Sequence, residues 1–167
     1  MEVLVPEDRT TQGLVQSMSV AQNLSMAVLP KLLQWGLVSR SRERVLVEDA
    51  VARLSIKVGD TAGPVLRLSG GNQQKVVLAK SLAAESDILI FDEPTRGIDV
   101  GAKQEIYHLM TELADNGIAI LMISSDMEEL LGMSDRIIVM CEGELAGEVN
   151  KDQFEQHHIL DLASGMH

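Results

Sequence analysis

The chain has 167 residues, of which 46% are hydrophobic and 23% are charged. A chain of this size can bury one sizeable core and is too short for two ordinary domains, so we expect one domain or part of one. Its 25 acidic and 14 basic residues give a formal net charge of -11, which repels the phosphate backbone of nucleic acids. We therefore expect no nonspecific nucleic-acid binding. One tryptophan, one tyrosine and two phenylalanines are also too few for a base-stacking platform.

The cysteine content and the apolar runs predict the compartment. Cys141 is the only cysteine, which excludes an internal disulfide and a multi-cysteine zinc site and fits a reducing compartment. The longest apolar run, residues 118–123, is far shorter than the roughly 20 residues that span a bilayer. We therefore expect a cytoplasmic protein that neither spans a membrane nor is exported.

The first third of the chain is predicted to be mostly helical. A short β-like run at residues 2–5 ends at Pro6, and because no turn or cap precedes it, we expect a further part of the domain upstream. Ser19 is a plausible N-cap for a helix that Pro30 ends. A second helix is predicted from apolar residues at helical spacing, namely Val47, Ala50, Val51 and Leu54.

From about residue 71 the pattern changes to helices that alternate with short apolar runs. A helix is predicted to about Ala84, followed by apolar runs at residues 88–91, 118–123 and 137–140. Continuous apolar strands separated by helices indicate an α/β fold with a parallel sheet covered on both faces. The chain closes with a run at 145–149 and a polar helix around 154–162.

Two acidic residues directly follow the first of these apolar runs. Asp92 and Glu93 are thereby placed at the carboxyl edge of a buried strand, where open α/β sheets bind their ligands. This is the Walker B arrangement of P-loop nucleotide hydrolases, in which one carboxylate serves Mg²⁺ and its neighbour orients the attacking water. Taken alone, the segment is equally consistent with two acids that begin a loop.

A serine and two glycines open the helix that precedes this strand. Ser69 can cap the helix, while Gly70 and Gly71 allow a phosphate to approach the backbone. Free N–H groups and the positive end of the helix dipole then form an anion site. A glycine turn before a helix is the alternative interpretation of the same residues.

Taken together, these segments resemble the nucleotide-binding domain of ATP-binding cassette (ABC) proteins. Residues 68–73 resemble its signature motif, the strand ending in Glu93 its Walker B motif, and residues 94–99 its D-loop. Residues 5–8 lie where the Q-loop enters the helical subdomain, and residues 123–126 where the switch histidine lies. The sequence at Asn72 and at residues 94–103 is similar to that of the second nucleotide-binding domain of bacterial monosaccharide importers of the ribose, galactose, xylose, arabinose and autoinducer-2 type.

The resemblance implies one partial P-loop nucleotide hydrolase domain over residues 1–167. Its helical subdomain would cover about 10–85 and its α/β part 86–167. In this family two domains close head to tail around ATP, so the chain would contribute to two sites. The implied residues are Ser69, Gly70, Gly71, Asn72 and Gln73 for ATP held by the partner, Asp99 in the D-loop, Asp92 for Mg²⁺, and Glu93, Glu7 and Ser125 at its own site.

Three departures from the family pattern concern catalysis. A P-loop requires Gly-Lys before Ser or Thr, and none of the 13 glycines is followed by lysine. The chain alone is therefore expected to lack ATPase activity. The Q-loop position holds Glu7 rather than glutamine, and the switch position holds Ser125, which has no imidazole.

The resemblance implies an ATP-binding component of a sugar importer, with ATP and Mg²⁺ as cofactors. Its partners would be a second nucleotide-binding domain and a membrane permease at the cytoplasmic face of the inner membrane, with no nucleic acid. Two alternatives are a noncatalytic interaction module left by truncation and a soluble ABC ATPase of DNA repair or translation. For Leu14, Met18 and Leu24, permease contact and core packing both stay open.

Overall fold

The computed structural model describes residues 2–165, and its contacts divide the chain into two compact units, one extending to Ile123 and one beginning at Ser124. The first unit contains, in chain order, β1 (Glu2–Val5), a π-helical turn (Arg9–Gly13), α1 (Val20–Ala27), α2 (Leu29–Leu32), β2 (Leu33–Gln34), β3 (Leu37–Val38), α3 (Arg40–Arg53), a 3₁₀ turn (Val65–Arg67), α4 (Gly70–Ala83), β4 (Ile88–Asp92), α5 (Val100–Asp115) and β5 (Ala119–Ile123). The second contains α6 (Met127–Met133), β6 (Arg136–Cys141), β7 (Glu144–Asn150), a 3₁₀ turn (Lys151–Gln153) and α7 (Gln156–Ala163). Among residues 2–165, no helix is long and apolar enough to cross a membrane.

A three-stranded parallel sheet organises the first unit. Its order is β1-β4-β5, with Val5 paired to Phe91 and Asp92 paired to Ile123. The carboxyl ends of all three strands therefore lie at one edge. This arrangement confirms the predicted α/β class and places the loops after β1 and β4 next to each other.

The two faces of this sheet differ in burial. Val5, Leu89 and Phe91 are fully buried on one face, whereas Leu4 and Leu121 on the other are 54% and 48% exposed. The prediction that both faces are covered is therefore wrong for the described part of the chain. Side chains alternate between the two faces of a sheet along each strand. The packed segments of this unit cover the face that carries Val5, Leu89 and Phe91.

The helical part begins as predicted. The Ser19 hydroxyl accepts from the Gln22 N–H at 3.1 Å, and the Gln22 side chain accepts from the Ser19 N–H at 2.9 Å, which forms a capping box. The helix α1 ends at Ala27, before Pro30. It packs against α3 and α4, and Leu24 within it is fully buried.

A short hairpin follows α2. The strands β2 and β3 pair antiparallel, and Trp35 and Gly36 connect them with φ values of 55° and 81°. Two consecutive positive φ values are typical of the type I′ hairpin turn. The turn presents Trp35 to solvent, where its side chain is 95% exposed.

The second unit is an antiparallel hairpin with a packed helix. The run at 137–140 was expected in the parallel sheet, but β6 pairs antiparallel with β7. Ile137 and Val139 are buried while Ile138 and Met140 are exposed, so only one face of the hairpin contributes to a core. That core also contains Val149 and Ile159, the latter from α7.

Candidate functional site

Ser69 is the N-cap residue of α4, with φ and ψ of -61° and 157°. Its side chain makes no capping hydrogen bond to the helix backbone. The residue is exposed, and the first N–H groups of a helix have no intrahelical acceptor. Hydroxyl and amide donors therefore lie together at the positive end of a 14-residue helix.

The two glycines of this turn are closely approached by other segments. A Cβ atom on Gly71 would lie 2.8 Å from the Ala102 Cβ, so the absence of a side chain permits the contact between α4 and α5. A Cβ atom on Gly70 would lie 2.9 Å from Nη2 of Arg9. Arg9 therefore places its guanidinium directly beside the predicted signature motif.

The next two residues of the motif face protein rather than solvent. Asn72 is half-buried, and its amide bonds the Lys57 N–H at 2.7 Å and the Ser69 hydroxyl at 2.8 Å. Gln73 is buried, and its amide donates to the Val65 carbonyl at 3.3 Å. Both amides therefore hold the motif in place.

Asp92 and Glu93 lie at the carboxyl edge of the sheet. Asp92 is the last residue of β4, and the Glu93 N–H donates to the Ile123 carbonyl at 2.9 Å. Glu93 has a φ of 46°, which is the left-handed region that non-glycine residues seldom adopt. The chain therefore leaves the strand through a sharp turn at the second acid.

An ion pair and a side-chain cap hold the loop after β1 in place. The Glu7 carboxylate pairs with the Arg96 guanidinium from the loop after β4. Asp8 accepts hydrogen bonds from the side chains and N–H groups of Thr10 and Thr11. These bonds, the Thr10 hydroxyl first, lower the pKa of Asp8 to about 2.

The remaining predicted residues lie at helix starts. The Asp99 carboxylate accepts from the Ala102 N–H at 3.0 Å and thereby caps α5. Ser125, in the second unit, is exposed and directly precedes Asp126, which caps α6. The structure thus brings Glu7 and Asp92 to one sheet edge within the first unit, and it places Ser125 in the second.

No role was predicted from the sequence for Arg9, Arg96 or Lys57. Arg9 donates to the Arg96 carbonyl at 3.4 Å, and its Nε is buried without a hydrogen-bond partner. Lys57 contributes through its backbone N–H, which carries no residue-specific signal. For Arg96, the signal available in the sequence was a cation within the predicted D-loop and an acid at the predicted Q-loop position.

Known proteins are similar in sequence to this chain over most of its length. Residues 3–96 match the ABC transporter family. The chain is 52% identical over 97% of its length to the ribose import ATP-binding protein RbsA 2 of Rubrobacter xylanophilus, and 46% identical over 96% to RbsA 2 of Escherichia coli O157:H7. It spans 31% and 32% of those two relatives.

Solved structures share the fold. The ATP-binding cassette MJ0796, in a dimeric post-hydrolysis state bound to ADP and Pi, superposes with a TM-score of 0.74 at 22% identity, over 92% of this chain and 64% of that one. The protein cbiO1 of Clostridium perfringens superposes with a TM-score of 0.71 at 27% identity, over 90% and 57%. The predicted resemblance is confirmed, and the chain belongs to the ABC transporter family.

Proposed function

We propose that the chain is part of the ATP-binding subunit of an ABC importer, which couples ATP binding and hydrolysis to sugar uptake. One observation carries the proposal: the exposed Ser69 hydroxyl lies beside free N–H groups at the start of α4. Such a helix start binds phosphate, and here Ser69, Gly70 and Gly71 bind the γ-phosphate of ATP held by a partner nucleotide-binding domain. The ribose-import relatives support sugar as the cargo.

The domain's own site lies at the carboxyl edge of the sheet. In this proposal Asp92 would hold Mg²⁺, Glu93 would orient the attacking water, and Glu7 takes the Q-loop position. Ser125, in the second unit, takes the position of the family's switch residue. The donor set fits Mg²⁺, which usually binds one or two carboxylates together with substrate phosphates. The position of Asp92 supports this role, because it is the last residue of β4 and lies at the carboxyl edge of the parallel sheet.

A second segment of protein completes each ATP site. No Gly-Lys pair occurs in the sequence, so the loop that cradles the β- and γ-phosphates comes from outside residues 1–167. In this proposal residues 10–85 form the helical subdomain, residues 86–167 form the α/β part, and the assembly lies at the cytoplasmic face of the membrane.

In this proposal the permease docks on the β2–β3 hairpin rather than on α1. Of the two interpretations left open, core packing is favoured at Leu24, which is fully buried, and at Leu14, which is 5% exposed. Met18 is half-buried. Trp35 and Leu37 at the hairpin are 95% and 76% exposed. Large apolar side chains exposed together mark an interaction surface, and a permease is the partner that an importer subunit requires.

Sugar-uptake measurements test whether the permease docks on the β2–β3 hairpin. We expect the double variant Trp35→Ser, Leu37→Ser to lose sugar uptake while the purified protein keeps its unfolding midpoint, because both side chains are solvent-exposed. Leu145→Ser, in β7 and 67% exposed, is the matched control. Equal uptake by the Trp35→Ser, Leu37→Ser variant and by Leu145→Ser would contradict docking on the β2–β3 hairpin.

A hybrid ATPase tests the main proposal. In it this chain replaces the matching region of the Rubrobacter relative, assembled with that relative's permease. Ser69→Ala and Gly70→Asp are expected to lower the ATPase rate by about 10- to 1000-fold; loss of one preorganised donor typically costs about 100- to 1000-fold. Ser39→Ala is a control at another N-cap without a capping bond, and Gly59→Asp is a control in open space.

The alternatives predict other results. A noncatalytic module would leave the hybrid without ATPase activity even before substitution. A soluble, non-transport ATPase would hydrolyse ATP but would show no stimulation by the permease. Permease-stimulated ATPase activity that depends on Ser69 supports the importer.

A further inference from the structure

The Asn72 amide lies between two groups that determine its orientation. The Lys57 backbone N–H can only donate, and it lies 2.7 Å from one atom of this amide. That atom is therefore the oxygen, Oδ1. The other atom, Nδ2, is a donor and lies 2.8 Å from the Ser69 Oγ.

This orientation constrains the Ser69 hydroxyl. Because Oγ accepts from Asn72, the single hydroxyl hydrogen of Ser69 cannot point toward that amide. The hydroxyl does not cap α4, and no acceptor for it is found among the side chains and backbone of residues 2–165. Its hydrogen is left to point toward an external acceptor.

We propose that Asn72 is a positioning residue, which orients the Ser69 hydroxyl so that it donates to a phosphate oxygen bound at the start of α4. This inference rests on the proposed function, because it takes Ser69 as a phosphate ligand. It differs from direct nucleotide binding by Asn72, because the amide acts here through its hydrogen bonds to the Lys57 N–H and the Ser69 hydroxyl.

The segment that holds Asn72 is itself anchored. Glu105 on α5 pairs with Lys57 at 3.5 Å and with the buried Lys75 of α4 at 2.9 Å. Lys75 also donates to the Ser55 carbonyl at 3.3 Å, two residues before Lys57. These contacts attach the segment from Ser55 to Lys57 to α4 and α5, and so they fix the Lys57 N–H that the Asn72 oxygen accepts.

A double-mutant cycle in the hybrid ATPase tests the inference. Asn72→Ala is expected to lower kcat by about 5- to 50-fold, because without Asn72 the Ser69 hydroxyl is no longer held in position to donate to the phosphate. In the Ser69→Ala background the same substitution should cost less than about twofold, since no hydroxyl is left to orient. A purely structural role for Asn72 would give the same cost in both backgrounds.

The controls separate the inference from the proposed function. Asn116→Ala removes a side chain that donates to the Glu112 carbonyl at the end of α5, and it should leave kcat unchanged. Equal costs of Asn72→Ala in both backgrounds would overturn the positioning role alone. A Ser69→Ala rate equal to that of the unsubstituted hybrid would overturn the phosphate-binding function itself.

Discussion

The Arg96 guanidinium pairs with the Glu7 carboxylate and joins the loop after β4 to the loop after β1. The two side chains are 66% and 41% exposed, so the pair contributes at most about 1 kcal/mol to stability. Its importance is local, because it gives Glu7, at the predicted Q-loop position, a cationic partner from the predicted D-loop. Arg9 connects the same D-loop residue to the surroundings of Gly70.

The Asp8 carboxyl should titrate far below its ordinary pKa of 3.8. Hydrogen bonds from Thr10 and Thr11 lower its pKa to about 2, so the folded turn favours the ionised form. The stabilisation by Asp8 is complete above about pH 4 and is lost as the pH falls toward 2. Following the amide resonances of Thr10 and Thr11 against pH should give a midpoint near 2.

The Thr10→Val variant is the control for this titration. It removes the first of the hydrogen bonds to the carboxylate while keeping the shape of the side chain. The midpoint of Asp8 should then move up toward 3.8. A midpoint that is the same in both proteins would show that Thr10 does not lower the pKa.

Leu24 should be important for stability. It is fully buried, so Leu24→Ala removes apolar contacts and leaves a cavity, at a cost of about 2–5 kcal/mol. Met26, on the same helix and 43% exposed, is the matched control, and Met26→Ala should cost about 0.5 kcal/mol or less. Urea unfolding of the chain measures both, and similar midpoints would contradict the core position of Leu24.

Glu105 should stabilise the chain through the buried Lys75. The hydrogen bond from Lys75, followed by its charge, lowers the pKa of Glu105. Glu105→Gln leaves Lys75 without a counter-charge, and we expect a loss of about 1–3 kcal/mol. This is less than the about 3–5 kcal/mol of a fully buried pair, because Glu105 is 46% exposed.

Chemical denaturation at two pH values checks the assignment to charge. Because the folded pKa of Glu105 is lowered, its contribution is present above its ordinary pKa of 4.5 and is lost as the pH falls through the folded value. The difference between the original protein and Glu105→Gln should therefore shrink in acid. A difference that stays constant in acid would point to packing instead.

Glu93 and Ser69 should differ in their effect on ATPase activity. In the hybrid, Glu93→Gln is expected to cost only a few-fold in ATPase rate, because the sequence predicts that the domain's own site is weakened by Glu7 at the Q-loop position and Ser125 at the switch position. Ser69 is proposed to bind ATP at the partner's site, so Ser69→Ala should lower the ATPase rate by about 10- to 1000-fold. Steady-state rates of the two variants compare them, and a loss for Glu93→Gln as large as that for Ser69→Ala would disprove the asymmetry.

Local patterns in the sequence were sufficient to predict most elements. The Ser19 cap, the helix α3 and the start of α4 near Gly70 all follow from capping residues and helical periodicity. The apolar run before Asp92 likewise predicted β4 and its carboxyl edge. These features depend on residues within a few positions of one another, so their physical causes are contained in short segments. The order of the motifs was enough to indicate the family.

Contacts between distant segments were decided by the tertiary structure. Glu7 and Arg96 are 89 residues apart in sequence, and they meet because β1 and β4 are neighbouring parallel strands. Leu24 lies on the face of α1 that other helices cover, which helical periodicity alone could not distinguish from a docking face. The amide of Asn72 gained its orientation from a backbone N–H 15 positions away. Backbone groups are the same in every residue, so only the packed fold determined which one Asn72 would bind.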